Sequence, residues 1–153
     1  MNTSICLIGD NFNLNIKTVK FEEDSSVSTI YSKSFSRSKI EEIFIPPSVT
    51  KIFYSAFFYC SNLRKVEIPT NSNLQTIEEH VFSRSKIKEI SIPPSVTKIC
   101  KGAFSSCYEL QIIEISEESQ LRSISASSFE DCQEHMIIMV PSSLKQFIKI
   151  NTF

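Results

Sequence analysis

The chain has 153 residues, 41% of them hydrophobic and 22% charged, a composition that suits one globular domain and lies well away from that of disordered segments. Sixteen Lys plus Arg against seventeen Asp plus Glu leave a formal net charge of −1, without the basic excess that draws a protein onto nucleic acid or anionic lipid. The opening MNTSICLIGDNFNLNIK lacks a positively charged region followed by a long apolar run, and no run of about 18 apolar residues occurs, so this segment shows neither a secretory signal nor a stretch for direct membrane insertion.

Residues 1–18 read as an N-terminal cap or a partial repeat, and the periodic pattern begins behind them. VKFEEDSSVSTI, from Val19 to Ile30, keeps its apolar positions in IEISEESQLRSI, from Ile113 to Ile124. FSRSKIEEIFIPPSVTKI, from Phe35 to Ile52, returns 47 residues later as FSRSKIKEISIPPSVTKI, from Phe82 to Ile99, with 16 of 18 positions identical. Phe35, Phe57, Phe82, Phe104 and Phe129 are spaced 22, 25, 22 and 25 apart, so short and long units alternate over residues 19–141. Residues 142–153 read as a C-terminal cap, in which Leu144, Phe147 and Ile148 stand at helical spacing to cover the last coil.

Within each unit an x-Ile-x-Ile-Pro core alternates with period two, the mark of a short strand with one buried face. Six such strands are predicted from their inward pairs: Val19/Phe21, Ile43/Ile45, Val66/Ile68, Ile90/Ile92, Ile113/Ile115 and Ile138/Val140. Proline follows four of them and ends the strand, because it has no amide to continue a ladder. The SVTKI and NLQTI segments place two apolar residues three apart and predict a return side made of a short strand or a helical turn. Units this short cannot bury their apolar faces alone, so they must stack on one continuous core.

The string IKEISIPPSVTKICKGAFSSCYEL, Ile87 to Leu110, resembles the BspA-like leucine-rich repeat family of surface antigens, and the likeness extends over most of the chain. The resemblance implies a repeat solenoid: a right-handed superhelix with a parallel β-sheet on its concave face and short strands, turns or 3₁₀ elements on its convex side. It also implies a cell-surface or secreted location and adhesion to host proteins; the chain itself leaves localisation unknown. Two departures stand out. The short units carry Ser-Arg-Ser where the long ones have cysteine, and the glycine common before the Ala-Phe step occurs once, at Gly102.

The candidate functional residues lie between the inward pairs. Thr18, Glu42, Lys65, Glu89, Ile112 and Ile137 form one outward column, and Lys20, Phe44, Glu67, Ser91, Glu114 and Met139 the next. Of these Phe44, Glu42, Lys65, Glu67, Glu89, Ser91 and Glu114 are the expected partner-binding residues, an acid-centred surface for a basic or mixed polar partner. The competing account is that the acids are simply solvated and that Ile112, Ile137 and Met139 meet the C-terminal cap.

Cys60, Cys107 and Cys132 each follow a repeat phenylalanine by three, and so share one row. Two readings fit: Cys107 and Cys132 approach disulfide distance, or each thiol fills a fixed slot. Cys6 and Cys100 fall outside the row and are expected to be the more exposed thiols. No catalytic, cofactor or metal constellation is present. His80 and His135 occupy non-equivalent positions, and two glycines, Gly9 and Gly102, cannot form a phosphate-cradling loop. The expectation is therefore a non-enzymatic protein-binding module, with another protein as partner, no nucleic acid and no cofactor; self-association through the solenoid ends is also consistent. The alternative is a set of spacer repeats from a larger surface protein.

Overall fold

A residue whose side chain points inward every second position builds a strand, and ten short strands follow. In a computed structural model describing residues 15–21 and 25–142, they are β1 Thr29–Ile30, β2 Glu42–Phe44, β3 Lys51–Ile52, β4 Lys65–Glu67, β5 Thr76–Ile77, β6 Glu89–Ile92, β7 Lys98–Ile99, β8 Ile112–Ile115, β9 Ser123–Ile124 and β10 Ile137–Met139. The chain winds as a parallel β-solenoid of about five turns. Every strand pair is parallel, as identical units stacked in one direction require.

The even-numbered strands form the first side of each coil. β2 pairs with β4, and β6 with β8 and β8 with β10; the ladder is interrupted between β4 and β6, although these two lie side by side. Register matches the repeat: Ile43 sits opposite Val66, and Ile90, Ile113 and Ile138 line up. The first of the six expected strands differs. Val19 and Phe21 are only partly buried, and their segment contributes a single bridge, Thr18 to Glu42, rather than a strand.

The odd-numbered strands form the return side, a continuous five-stranded sheet in the order β1-β3-β5-β7-β9. The choice between strand and helical turn is thus decided for strand, with Ile30, Ile52, Ile77, Ile99 and Ile124 stacked along the axis. Each of these strands is only two residues long, because the turn that holds the next phenylalanine starts at once.

That turn is the third side. Around Phe35 the amides of Ser34, Ser36 and Ser38 donate to the carbonyls of Tyr31, Lys33 and Phe35, and the same pattern recurs around Phe57. In the first four coils the residues two before and two after the phenylalanine take positive φ, among them Lys33 and Arg37, Ser55 and Tyr59, and Gly102 and Ser106; around Phe129 only Asp131 does. This is the third-position conformation of a type II turn, here mostly supplied without glycine. Alternate amides of the turn then point along the axis, so that Phe35 donates to Ala56, Phe57 to Val81 and Phe82 to Ala103 at 2.8–3.0 Å. The backbone is therefore paired between coils on all three sides, which leaves the interior to side chains.

The phenylalanines fill it as a ladder. Successive rings of Phe35, Phe57, Phe82, Phe104 and Phe129 stand 5.2–5.6 Å apart with planes within about 21° of parallel. Facing them are the inward isoleucines of both sheets from Ile30 to Ile115, with Leu63, Leu74 and Leu110, all buried, while Ile124 and Ile138 in the last coil are partly buried. Burying one such side chain contributes roughly 1.5–3 kcal/mol, and the repeat delivers several per coil. Of the expected caps, 1–18 and 142–153, residues 1–14 and 143–153 lie outside the described residues.

Candidate interaction surface

Alternation along the even strands turns the residues between the inward pairs outward. The register aligns Glu42 with Lys65, Phe44 with Glu67, Glu89 with Ile112 and Ile137, and Ser91 with Glu114 and Met139. The two columns read from the sequence are thus real rows on one face. All seven candidate residues are exposed, Phe44 at 43%. Within the face, Lys65 Nζ lies 3.6 Å from Glu67 Oε2, and the Ser91 hydroxyl donates to Glu114 Oε2 at 3.0 Å. Both groups of the ion pair remain more than half exposed, so it orders the surface more than it stabilises the fold. Glu67 is consequently a balanced acid, and the acidic centre of the face is carried by Glu42, Glu89 and Glu114. Ile137 and Met139 are exposed apolar residues at the C-terminal end of the same face, with Ile112 half-buried beside them.

The cysteine row has a different use. Cys60, Cys107 and Cys132 are free thiols, and each Sγ donates to the carbonyl of the phenylalanine one coil earlier, Phe35, Phe82 and Phe104, at 2.9–3.1 Å. In the short units Ser38 and Ser85 occupy the same row, with their hydroxyls 3.4 and 3.3 Å from the sulfurs of Cys60 and Cys107. Serine and cysteine are interchangeable here because the slot asks for a small side chain with one donor. Burial pushes the Cys60 thiol up to about 11, and burial together with the neighbouring Cys107 pushes Cys132 up to about 12. Burial raises Cys107 likewise. These are inert thiols, not nucleophiles.

Cys100 corrects the expectation of an exposed thiol: it is buried. It follows the inward Ile99, and its sulfur lies 3.9 Å from the carboxylate of Glu78 in the preceding coil. Burial and the Glu78 charge both raise its pKa. Cys6 lies outside the described residues. His80 packs its imidazole over Gly102, in the next coil, and His135 is exposed. Among the described residues no group of three or more His, Cys, Asp or Glu side chains could hold a metal ion.

A set of exposed aromatics was missed in the sequence: Tyr31, Phe53, Tyr54, Tyr59 and Tyr108. Tyr31 stacks on Phe53 at 6.0 Å, and the Arg84 guanidinium lies 5.9 Å over the Tyr59 ring. The signal was available in the alignment of units, since Phe53 and Tyr54 replace Glu78 and Glu79, and Tyr59 replaces Arg37 and Arg84. An aromatic residue at a position that another unit fills with a charged one has no core role to explain it.

Fold and surface together define a stacked-repeat scaffold with a constant interior and a variable exterior. The family model described as a BspA type leucine rich repeat region, in six copies, matches residues 3–111 and 67–153. The chain belongs to this family, whose members are typically non-enzymatic. Among solved structures it is similar to a leucine rich cell surface protein from Faecalibacterium prausnitzii, with a TM-score of 0.77 and 24% identity over 93% of this chain and 38% of that one. It is also similar to the pneumococcal vaccine antigen PcpA, with a TM-score of 0.59 and 24% identity over 74% of this chain and 30% of that one. At that identity the likeness shows the fold, and the chain spans well under half the length of either structure. Among curated proteins none matches this sequence. Among the described residues no helix is long and apolar enough to cross a membrane.

Proposed function

We propose that this chain is a non-enzymatic protein-binding module that presents its even-strand face to another protein, as part of cell-surface adhesion or host-protein contact. The observation that carries the reading is the contrast within the repeat. Between the two near-identical 18-residue copies only Glu41/Lys88 and Phe44/Ser91 differ, and Phe44 and Ser91 lie on the exposed strand face. A rigid frame with variable outward positions is how repeat scaffolds acquire specificity. The resemblance to a protein described as a leucine rich cell surface protein supports the location.

Replacing Glu67, Glu89 and Glu114 together by Lys tests it. Immobilised wild type and the triple variant are exposed to one panel of extracellular-matrix and serum proteins. The expected result is a partner held by the wild type and lost by the variant, with unchanged circular dichroism. Equal retention by both sinks the strand-face assignment.

A second reading, spacer repeats of a larger surface protein with no ligand of their own, draws on the chain matching only 38% and 30% of its structural neighbours. Its signature is that neither protein retains any member of the panel.

A further inference from the structure

A groove of about 430 Å³ runs across several coils on the turn side of the stack, away from the strand face. It arises at the residue after each column phenylalanine, which is Phe58 in one coil, Ser83 and Ser105 in the next two, and Glu130 in the last. Two serines between an aromatic and a glutamate leave a trough with a hydroxyl floor, an aromatic end and an acidic end. Arg84 flanks the floor, and Asp131 continues the acidic end.

The polar groups are held in place before any ligand arrives. The Ser83 and Ser105 hydroxyls lie 2.9 Å apart, and the Ser105 hydroxyl also donates to the Gly102 carbonyl at 3.1 Å. The Ser106 hydroxyl lies 3.5 Å from Asp131 Oδ2, and the Tyr59 ring backs the Arg84 guanidinium. The main chain offers little here. The amides of Arg84 and Ser106 donate to the carbonyls of Ser105 and Glu130 in the next coil, so an extended peptide finds no ladder to join and recognition rests on side chains.

Charge then selects the ligand. Glu130 and Asp131 outweigh Arg84 by one charge and oppose an anion across the groove, while Arg84 opposes a cation beside the floor. A neutral molecule rich in hydroxyls suits this lining: it donates to the carboxylates and to the serine oxygens, whose own protons are given to Ser105 and Gly102, accepts from the guanidinium, and lays an apolar ring face on Phe58. The volume falls within the range of small-molecule sites. We propose that this groove binds a neutral, hydroxyl-rich saccharide, as a site separate from the strand face.

The test is titration of the whole chain with maltotriose, N,N′-diacetylchitobiose, lactose, 3′-sialyllactose and the peptide Gly-Lys-Gly, followed by saturation-transfer NMR and calorimetry. The expected result is saturable binding of at least one neutral sugar with Kd in about the millimolar range. Sialyllactose and the peptide bind about tenfold or more weaker than that sugar. Arg84→Gln and Asp131→Asn each weaken it about tenfold or more, whereas Glu67→Lys on the strand face leaves it unchanged. Asn tolerates the positive φ of position 131, so Asp131→Asn carries the result if Arg84→Gln does not fold. Absence of binding by all the neutral sugars, preference for the charged ligands, or wild-type affinity in folded Asp131→Asn overturns the proposal.

Discussion

The turn glycine is where single atoms matter most. Gly102 has φ +63°, and a Cβ placed on it would lie 2.4 Å from Cε1 and 2.5 Å from Nδ1 of His80. Lys33, Ser55 and His80 hold the same turn position in earlier coils with side chains, so positive φ alone does not demand glycine there. The His80 imidazole adds a second reason, because it fills the volume the methyl would need and has to swing aside. Gly102→Ala is expected to destabilise the fold by roughly 2 kcal/mol, the sum of left-handed strain and displacement of the ring. His80→Ser, which copies Ser55, should recover part of that loss; a double-mutant cycle in urea measures the coupling, and additive effects would show that the ring is not the obstacle. The buried thiols give a second residue-scale effect, on pH. The Cys60 thiol is raised from 9.0 to about 11, so between those values the unfolded chain has lost its proton while the folded one keeps it. The stability due to this group is complete below about pH 8.5 and is lost as pH rises through about 11. Urea midpoints measured from pH 8 to 11 should therefore fall, and fall less in Cys60→Ser, which puts in this slot the residue that Ser38 places there naturally.

At the scale of elements, the even strands were legible because Ile-x-Ile-Pro alternates with period two and then stops at a residue unable to donate. The return strands were ambiguous because Val49 and Ile52 are three apart, a spacing that a two-residue strand after a bend shares with a helical turn. The turn side was half legible. Its phenylalanines announced themselves by recurrence, whereas the positive φ of Arg37, Tyr59 and Arg84 left no trace, since those residues rarely adopt it and do so here under the pull of amides bonded to the next coil. The burial of Cys100 was hidden for a related reason: its contact with Glu78 is between neighbours in space and not in sequence. The candidate face was readable as columns but not in its pairing, because the Lys65–Glu67 contact runs along one strand between residues two apart. Within β5, the central strand of the five-stranded sheet, Ile77 points into the core and Thr76 is only half-buried. Ile77→Ala should destabilise by about 2–5 kcal/mol, and Thr76→Val by less than about 0.5 kcal/mol. Chemical denaturation of the two variants checks the inward and outward assignment.

The whole molecule is a stack in which each coil touches only its neighbours. Deleting residues 35–81 removes one short and one long unit and joins Ser34 to Phe82, which stand in the relation that Ser34 and Phe35 have now. The shortened chain is expected to keep its β-type circular dichroism and a cooperative transition. Its urea m value should fall roughly with the buried surface removed, and its melting temperature should drop as well. A chain that unfolds outright would mean that the coils are not equivalent modules. The same stacking fixes how the molecule answers a mechanical load. The hydrogen bonds between coils run along the axis while the chain itself circles it, so tension applied at the two ends meets one coil's bonds at a time, as a zipper does, and not all of them in shear. A coil of 25 residues occupies about 4.8 Å of the stack and releases about 80 Å of chain when it opens. Such an array yields by lengthening, coil after coil, and the coils still closed keep their outward residues in register while it does so.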